Sequence, residues 1–151
     1  MMLHQKVALV TGGNRGIGRG IALALAAAGA SVAINFLQGS IEAADVEKEI
    51  QGLGQRAIAV QADVSVRLEV QRLLARTEAA LGPVDILVNN AGIARPQKIE
   101  EVTEFDWDHL MDVNLKSCFL MSQAVRPGMR ARKWGRIVNI SSVAAQTGGV
   151  V

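Results

Sequence analysis

The chain is 151 residues long; 50% of its residues are hydrophobic and 20% are charged. This length suits one domain with a core, and the composition is that of a packed α/β domain. A formal net charge of +2 is too small to indicate nucleic-acid binding, so we predict no such partner. The opening residues lack the pattern of a signal peptide, and the most hydrophobic helical run is too short to cross a bilayer. We therefore predict no membrane partner and a cytoplasmic location.

Short apolar runs alternate with helical patterns along the whole chain. The predicted strands cover residues 7–10, 31–36, 57–61, 84–89 and 136–141. The predicted helices cover residues 16–28, 41–53, 66–81, 103–110 and 114–132. Nearly continuous apolar strands separated by helices predict an α/β fold with a doubly wound parallel sheet, as a single domain over residues 1–151. In such a sheet the ligand crevice lies at the carboxyl ends of the strands.

The first predicted strand leads into a loop whose three glycines have the spacing G-x-x-x-G-x-G, followed by a helix. A nucleotide-phosphate site requires this order, because glycines let the backbone approach the pyrophosphate. The helix N-terminus then offers N–H donors and the positive end of its dipole. The candidate cofactor-binding residues of this loop are Gly12, Asn14, Arg15, Gly16, Ile17 and Gly18.

Polar or small residues also follow three later strands. After the third strand, the Asp63 carboxylate could accept a hydrogen bond from an adenine amino group, or it could simply cap the next helix. An amide-rich segment after the fourth strand allows close backbone approach, with a plain turn as the alternative. After the fifth strand a serine hydroxyl lies at the crevice mouth, where serines are often only caps. The candidates on these segments are Asp63, Val64, Asn90, Ala91, Gly92, Ile140 and Ser142.

Together these segments closely resemble the short-chain dehydrogenase/reductase family. In chain order the matching motifs are Thr11-Gly12-x-x-x-Gly16-Ile17-Gly18, Asp63-Val64, Asn89-Asn90-Ala91-Gly92, Met111-Asp112-Val113-Asn114 and Gly135-Arg136-Ile137-Val138-Asn139-Ile140-Ser141-Ser142. The resemblance covers the whole chain. It implies a Rossmann-type sheet whose five N-terminal strands, in the order 3-2-1-4-5, are flanked by helices.

The resemblance also implies a reaction, which is hydride transfer between a nicotinamide and a ketone or secondary alcohol. A 3-oxoacyl thioester, small or bound to an acyl carrier, is the first substrate to consider, and a sugar, polyol or other small alcohol is the alternative. By resemblance, Ser142 would bind the substrate carbonyl oxygen and Asn114 would hold a water in a proton relay. No metal is implied.

Charge favours NADP(H) over NAD(H) as the cofactor. NAD-binding sheets usually place a carboxylate at the end of the second strand. Here residues 34–38 read Ile-Asn-Phe-Leu-Gln and contain no carboxylate. Asn35 is the cofactor-binding candidate on this strand. Arg15 could pair with a 2′-phosphate, unless it is merely solvated.

The family's catalytic Tyr-x-x-x-Lys pair is not found, because the chain contains no tyrosine. By family spacing the tyrosine would fall just beyond Val151, so we expect that the C-terminal part of the fold is missing and that this form is inactive. Neither His4, before the first strand, nor His109, in a helical stretch, suits the role of acid. The alternative is a naturally short, non-catalytic nucleotide-binding or scaffold protein.

Two surfaces are candidates for association. By resemblance, the apolar face of the last predicted helix would pack on a partner subunit of a tetramer or dimer; its residues are Leu115, Phe119, Leu120 and Met129. A basic cluster surrounds the end of the same helix, comprising Arg126, Arg130, Arg132, Lys133 and Arg136. It is either a solvated helix end or a docking patch for an acidic carrier protein, which charge reversal at Arg130 and Arg132 would test.

Overall fold

The computed structural model describes residues 2–148 and shows strands alternating with helices. The strands are β1 (Val7–Val10), β2 (Ser31–Phe36), β3 (Ala57–Gln61), β4 (Ile86–Asn89) and β5 (Arg136–Asn139). The helices are α1 (Gly16–Ala27), α2 (Ser40–Gly52), α3 (Arg67–Leu81), α4 (Glu104–Met111), α5 (Ser117–Ala131) and α6 (Ala144–Thr147). A 3₁₀ turn covers Ile99–Glu101, and a π-helical turn covers Asp112–Lys116.

The five strands form one parallel sheet in the order β3-β2-β1-β4-β5, which confirms the predicted fold class and strand order. The central strand β1 is buried along its whole length because helices cover both faces of the sheet. A strand in that position has no polar face, and this explains why its sequence reads as a continuous apolar run.

The hydrophobic core is divided by the sheet into two layers. On one side, α1 and α2 bring small or β-branched residues such as Ala22 and Val46 against the strands. On the other side, α3 contributes Leu73, and α5 contributes Leu120 and Met129. These last two side chains were expected on the outer face of the final helix, and that prediction is wrong, because they pack in the core with exposures of 4% and 7%.

The far edge of the sheet is open to solvent. Every residue of β5 is exposed, including Ile137 and Val138, although β5 pairs with β4 on its inner side. The outer side of α5 and the preceding turn also carry exposed apolar residues, Leu115 and Phe119. The described chain therefore exposes apolar side chains at a sheet edge and on a helix face, and Leu115 and Phe119 share a surface cavity with Asn139 at the end of β5.

The predicted break between helices 103–110 and 114–132 is absent. α4, the π-helical turn and α5 follow one another without interruption. A π turn accommodates an extra residue without ending the helix, so the apolar spacing shifts while the backbone continues. Other helix and strand ends move by one or two residues, as for β4, which begins at Ile86, and β5, which ends at Asn139. Across residues 2–148, none of the helices has both the length and the apolar character needed to span a membrane.

Candidate cofactor site

A cavity of about 430 Å³ lies at the carboxyl ends of the strands. The glycine loop after β1 lines it, together with the ends of β2 and β3 and the segment after β4. One wall comes from the α4 helix and the π turn. The sheet topology explains this convergence, since parallel strands bring their following loops to one edge.

The glycine loop leaves an anion-binding surface at the edge of the cavity. Gly16 itself is not among the residues that line the cavity, whereas its neighbours Arg15 and Ile17 are. Gly16 has a φ of +53°, and a Cβ there would meet no atom of the described chain within 4 Å. Helix α1 starts at this residue; within the described chain no side chain caps it and its first turn contains no acidic group. Its first N–H groups and the positive end of its dipole are thus available to an anion.

The other two glycines are required by close packing. A Cβ on Gly12, whose φ is +60°, would lie 3.1 Å from the Ala91 Cα. A Cβ on Gly18 would collide with the Gly12 carbonyl oxygen and with the Asn90 side-chain amide. The helix therefore starts directly against the loop after β4, and larger residues would separate the two segments.

Thr11 and Asn90 join these two loops through reciprocal hydrogen bonds. The buried Thr11 hydroxyl accepts from the backbone N–H of Asn90 at 3.0 Å and from that of Ala91 at 2.9 Å. The Asn90 side-chain amide donates to the carbonyl oxygens of Thr11 and Gly12 at 3.0 and 3.1 Å. The amide of Asn90 is thus used to hold the glycine loop, and its backbone lines the cavity.

Two further asparagines line the cavity while their amides serve the fold. Asn14 donates to the Gln38 carbonyl at 2.9 Å, which fixes the glycine loop to the end of β2. Asn35 is 2% exposed and donates to the Ala62 carbonyl at 2.9 Å, which links β2 to the segment after β3. Arg15, in contrast, is exposed at the rim of the cavity.

The Asp63 carboxylate is partly engaged and partly available. Its Oδ1 accepts from the backbone N–H and the hydroxyl of Ser65, at 2.9 and 2.6 Å, and so forms a turn just before α3. Among the described residues no hydrogen bond reaches its Oδ2. Asp63 therefore does not cap α3, whose N-cap is Val66 and carries no side-chain cap bond. One oxygen shapes the helix entry, and the other can accept a bond from a ligand in the cavity.

Asn114 lies in the π turn and holds the segment after β4. Its Oδ1 accepts from the Ile93 N–H at 2.8 Å, and its Nδ2 donates to the Ile93 carbonyl at 2.9 Å. Its side chain does not line the cavity, whereas Ile93 does. The proton-relay role of Asn114 stays a prediction; what the structure shows is that its side chain fixes the cavity wall.

Ser142 and Ile140 are not brought into this cavity in the described chain. The Ser142 hydroxyl accepts from the Ala144 N–H at 3.2 Å, next to the short helix α6. The Ile140 N–H donates to the Asn89 carbonyl at 2.9 Å and prolongs the β4–β5 pairing by one bond. Their proposed contacts with substrate and cofactor therefore remain predictions.

The loop between β4 and α4 is anchored by a capping box. Thr103 accepts from the Asp106 N–H, and the Asp106 carboxylate accepts from the Thr103 N–H and hydroxyl. Those two bonds from Thr103 lower the pKa of Asp106, against the opposing effect of burial. Arg95 also pairs with this carboxylate. The charge of Asp106 thus ties the loop to the start of α4.

Sequence reasoning missed part of the cavity wall. The additional lining residues are Leu37, Gln38, Ala62, Ile93, His109 and Val113. The four-residue spacing of His109 and Val113 is a helical signal for a shared face, but nothing local shows that this face meets the glycine loop. His109 in particular was set aside as a helical residue, and the structure places it at the cavity.

The arrangement fits a dinucleotide. Glycine N–H donors at the α1 terminus suit a pyrophosphate, the exposed Arg15 guanidinium suits a further phosphate, and Asp63 Oδ2 suits an amino group. Apolar surface from Ile17, which is 68% exposed, can cover part of such a ligand. Fold and cavity thus define a dinucleotide-binding protein with a Rossmann-type sheet.

Comparison with known proteins refines that class. The sequence profile described as short chain dehydrogenase matches residues 6–151, so the chain belongs to the short-chain dehydrogenase/reductase family. It is 46% identical over 146 residues to a 3-oxoacyl-[acyl-carrier-protein] reductase of Synechocystis, covering 97% of this chain and 59% of that protein. It is 41% identical over 143 residues to the Staphylococcus epidermidis protein of the same name, covering 95% and 59%. The chain thus spans about three fifths of the length of these relatives.

Solved structures agree with the fold. A short chain dehydrogenase from Burkholderia cenocepacia, in complex with NADP, has a TM-score of 0.89 and 41% identity, covering 100% of this chain and 61% of its own. A blue fluorescent protein from a metagenomic library, in complex with NADPH, has a TM-score of 0.91 and 39% identity with the same coverage.

Proposed function

We propose that this chain binds NADP(H) as the dinucleotide-binding region of an oxidoreductase that interconverts a ketone and a secondary alcohol. The observation that carries the proposal is the open helix terminus at Gly16, next to a cavity that Ile17, Asp63 and the exposed Arg15 line. The NADP and NADPH complexes of the two structural relatives support the choice of cofactor.

In this proposal different residues bind different parts of the dinucleotide. Backbone N–H groups at the start of α1 bind the pyrophosphate, and Arg15 binds the 2′-phosphate. Asp63 Oδ2 accepts a hydrogen bond from the adenine amino group. The Asn90–Gly92 backbone lines the nicotinamide ribose. The bound cofactor supplies the hydride, while the protein positions it.

The names of the curated relatives favour a 3-oxoacyl thioester, carried by an acyl carrier protein, as the substrate. Protonation of the developing alkoxide needs a nearby acid. Because this chain contains no tyrosine, we expect the 151-residue form to bind the cofactor without turning over a carbonyl substrate. A steady-state assay that follows NADPH absorbance with a 3-oxoacyl thioester tests this, and measurable turnover would contradict it.

The cofactor proposal is tested by calorimetric titration of the chain with NADPH and with NADH. Replacing Arg15→Ala removes a charge-assisted bond to the 2′-phosphate, so NADPH affinity should fall about tenfold while NADH affinity changes less than about twofold. The matched control is Arg19→Ala, because Arg19 pairs with Glu49 on α2 and does not line the cavity.

The outcomes are distinct. No binding of NADPH by the unmodified chain would refute the proposal. Equal losses for NADPH and NADH in the Arg15 variant would leave a dinucleotide site but remove the assignment of Arg15 to the 2′-phosphate.

We also propose that the basic cluster docks the acidic carrier, with a revised membership. Arg132 donates to the Val84 carbonyl at 2.6 Å and lies 3.5 Å from the Asp85 carboxylate, so it serves the fold. Arg130 and Lys133 are exposed at the same helix end. Trp134 lies beside them, with Lys6 at 4.0 Å from its ring centroid. A charge reversal at Arg132 would therefore test stability rather than docking.

The sharper test combines Arg130→Glu with Lys133→Glu and measures affinity for an acyl carrier protein by biolayer interferometry. We expect a loss of about tenfold that shrinks at high salt, because rim charges are screened. The control is Arg72→Glu with Arg76→Glu, an equal charge change on the exposed side of α3. Equal affinity of both double variants would refute docking at this cluster.

A further inference from the structure

α4, the π turn and α5 form one continuous helix, and the residues of this helix that line the cavity are His109 and Val113. They are one turn apart and share a face of the helix. Further along, this helix packs beside α3, and Arg67 of α3 donates a 2.6 Å hydrogen bond to Gln123 of α5. Since α3 starts just after the Asp63 loop, the helix that carries His109 lies on the same side of the sheet as that loop.

The His109 ring is held in a defined orientation. It stacks on the ring of Phe105, one turn earlier, with centroids 6.1 Å apart and planes at 8°. Phe105 is itself 73% exposed and does not line the cavity. Phe105 therefore supports the His109 ring, and His109 itself lines the cavity.

The chemistry of the cavity makes this ring distinctive. Among the described lining residues, His109 is the one that carries an aromatic ring, and the groups that can carry charge are Arg15, Asp63 and His109. Arg15 lies at the start of α1, and Asp63 uses Oδ1 for Ser65. A planar π-face that lines the same cavity as an available carboxylate oxygen is a suitable surface for a purine base, which stacks on aromatic rings and donates through its amino group.

We propose that His109 is a cofactor-binding residue whose imidazole ring stacks on the adenine of the bound dinucleotide, with Phe105 as its positioning residue. This inference rests on the proposed cofactor function and adds to it the aromatic wall of the adenine site. The interaction contributes affinity for the adenosine half of the ligand and leaves the nicotinamide half unaffected.

The test titrates the chain with NADPH, adenosine 2′,5′-bisphosphate and nicotinamide mononucleotide by calorimetry at one pH. His109→Ala should weaken binding of NADPH and the adenosine bisphosphate about fivefold, at the lower end for a base–aromatic stack because the site is exposed. His109→Phe should stay within about twofold of the unmodified chain, because it keeps the π-face. His4→Ala, before β1, is the control, and circular dichroism checks that each variant is folded.

Unchanged affinity of His109→Ala for the adenosine bisphosphate would overturn the inference while leaving NADP(H) binding intact. A loss in His109→Phe equal to that in His109→Ala would also overturn it, because stacking would then not be the source. If the unmodified chain binds neither NADPH nor the bisphosphate, the proposed function fails and this inference fails with it.

Discussion

The Thr11 hydroxyl shows how much of the site depends on single polar atoms. It accepts two backbone N–H groups from the segment after β4 and is 2% exposed. Threonine supplies this hydroxyl from a β-branched side chain that also suits the end of a buried strand. The loop that approaches the phosphates is thus fixed from its neighbour rather than by its own glycines.

Thr11→Val should therefore destabilise the chain although it changes the volume little. It leaves the N–H groups of Asn90 and Ala91 without their acceptor, which costs about 2 kcal/mol of unfolding free energy. Urea unfolding measures this, and Thr11→Ser, which keeps the hydroxyl, is the control. A loss below about 0.5 kcal/mol would show that the loops are held together by other contacts.

At the scale of elements, the capping box of α4 makes the loop after β4 sensitive to acid. The bonds from Thr103 lower the pKa of Asp106. A carboxyl whose pKa is lower in the folded state stabilises the fold above its unfolded-state value of about 3.9. That stabilisation disappears as the pH falls through the lower, folded-state pKa.

Asp106→Asn should consequently be less stable than the unmodified chain at pH 6, and the difference should shrink as the pH falls below about 3.9. Urea unfolding at a series of pH values gives both curves. Asp108→Asn, an exposed residue of the same helix, serves for comparison and should show a smaller difference. A gap that stays constant with pH would mean that the charge of Asp106 does not stabilise the loop.

The order of elements could be predicted from the sequence, while the π turn could not. Apolar strands and glycine punctuation are local signals that predicted the alternation of strands and helices, whereas the strand order was implied by the family resemblance, and the structure agrees with both. The π turn contains Asn114, which bonds Ile93 from a different segment, and no local pattern shows that pairing. His109 was missed for the same reason, since its place at the cavity comes from tertiary contacts. Asn35 does line the cavity, and its contact with a cofactor stays a prediction.

At the scale of the whole molecule, the two core layers are closed while the β5 edge and the outer face of α5 are open. Leu115 and Phe119 are 60% and 56% exposed, and Ile137 and Val138 are 40% and 44% exposed. An unpaired edge next to apolar side chains favours association.

We expect the 151-residue chain to self-associate through this face. Leu115→Glu with Phe119→Glu should raise the dissociation constant at least about tenfold, because each change removes an apolar contact of about 1.5–3 kcal/mol. Sedimentation velocity over a concentration series measures it, and Ile41→Glu, at an exposed apolar position of α2, is the control. A chain that is monomeric at every concentration would contradict this expectation.

The burial of Asn35 has a consequence for redesigning cofactor preference. An acidic residue introduced there, to favour a free ribose, would place a carboxylate against the carbonyl oxygens of Val60 and Ala62, which now accept from its amide. The buried charge would be repelled by these carbonyl oxygens, so the sheet would be destabilised before the cofactor selectivity changed. Engineering should instead begin at Leu37 or Gln38, which line the cavity two and three residues further on. Asn35, which holds the end of β2, is thus separate from Leu37 and Gln38, so these two can be altered while the strand end is preserved.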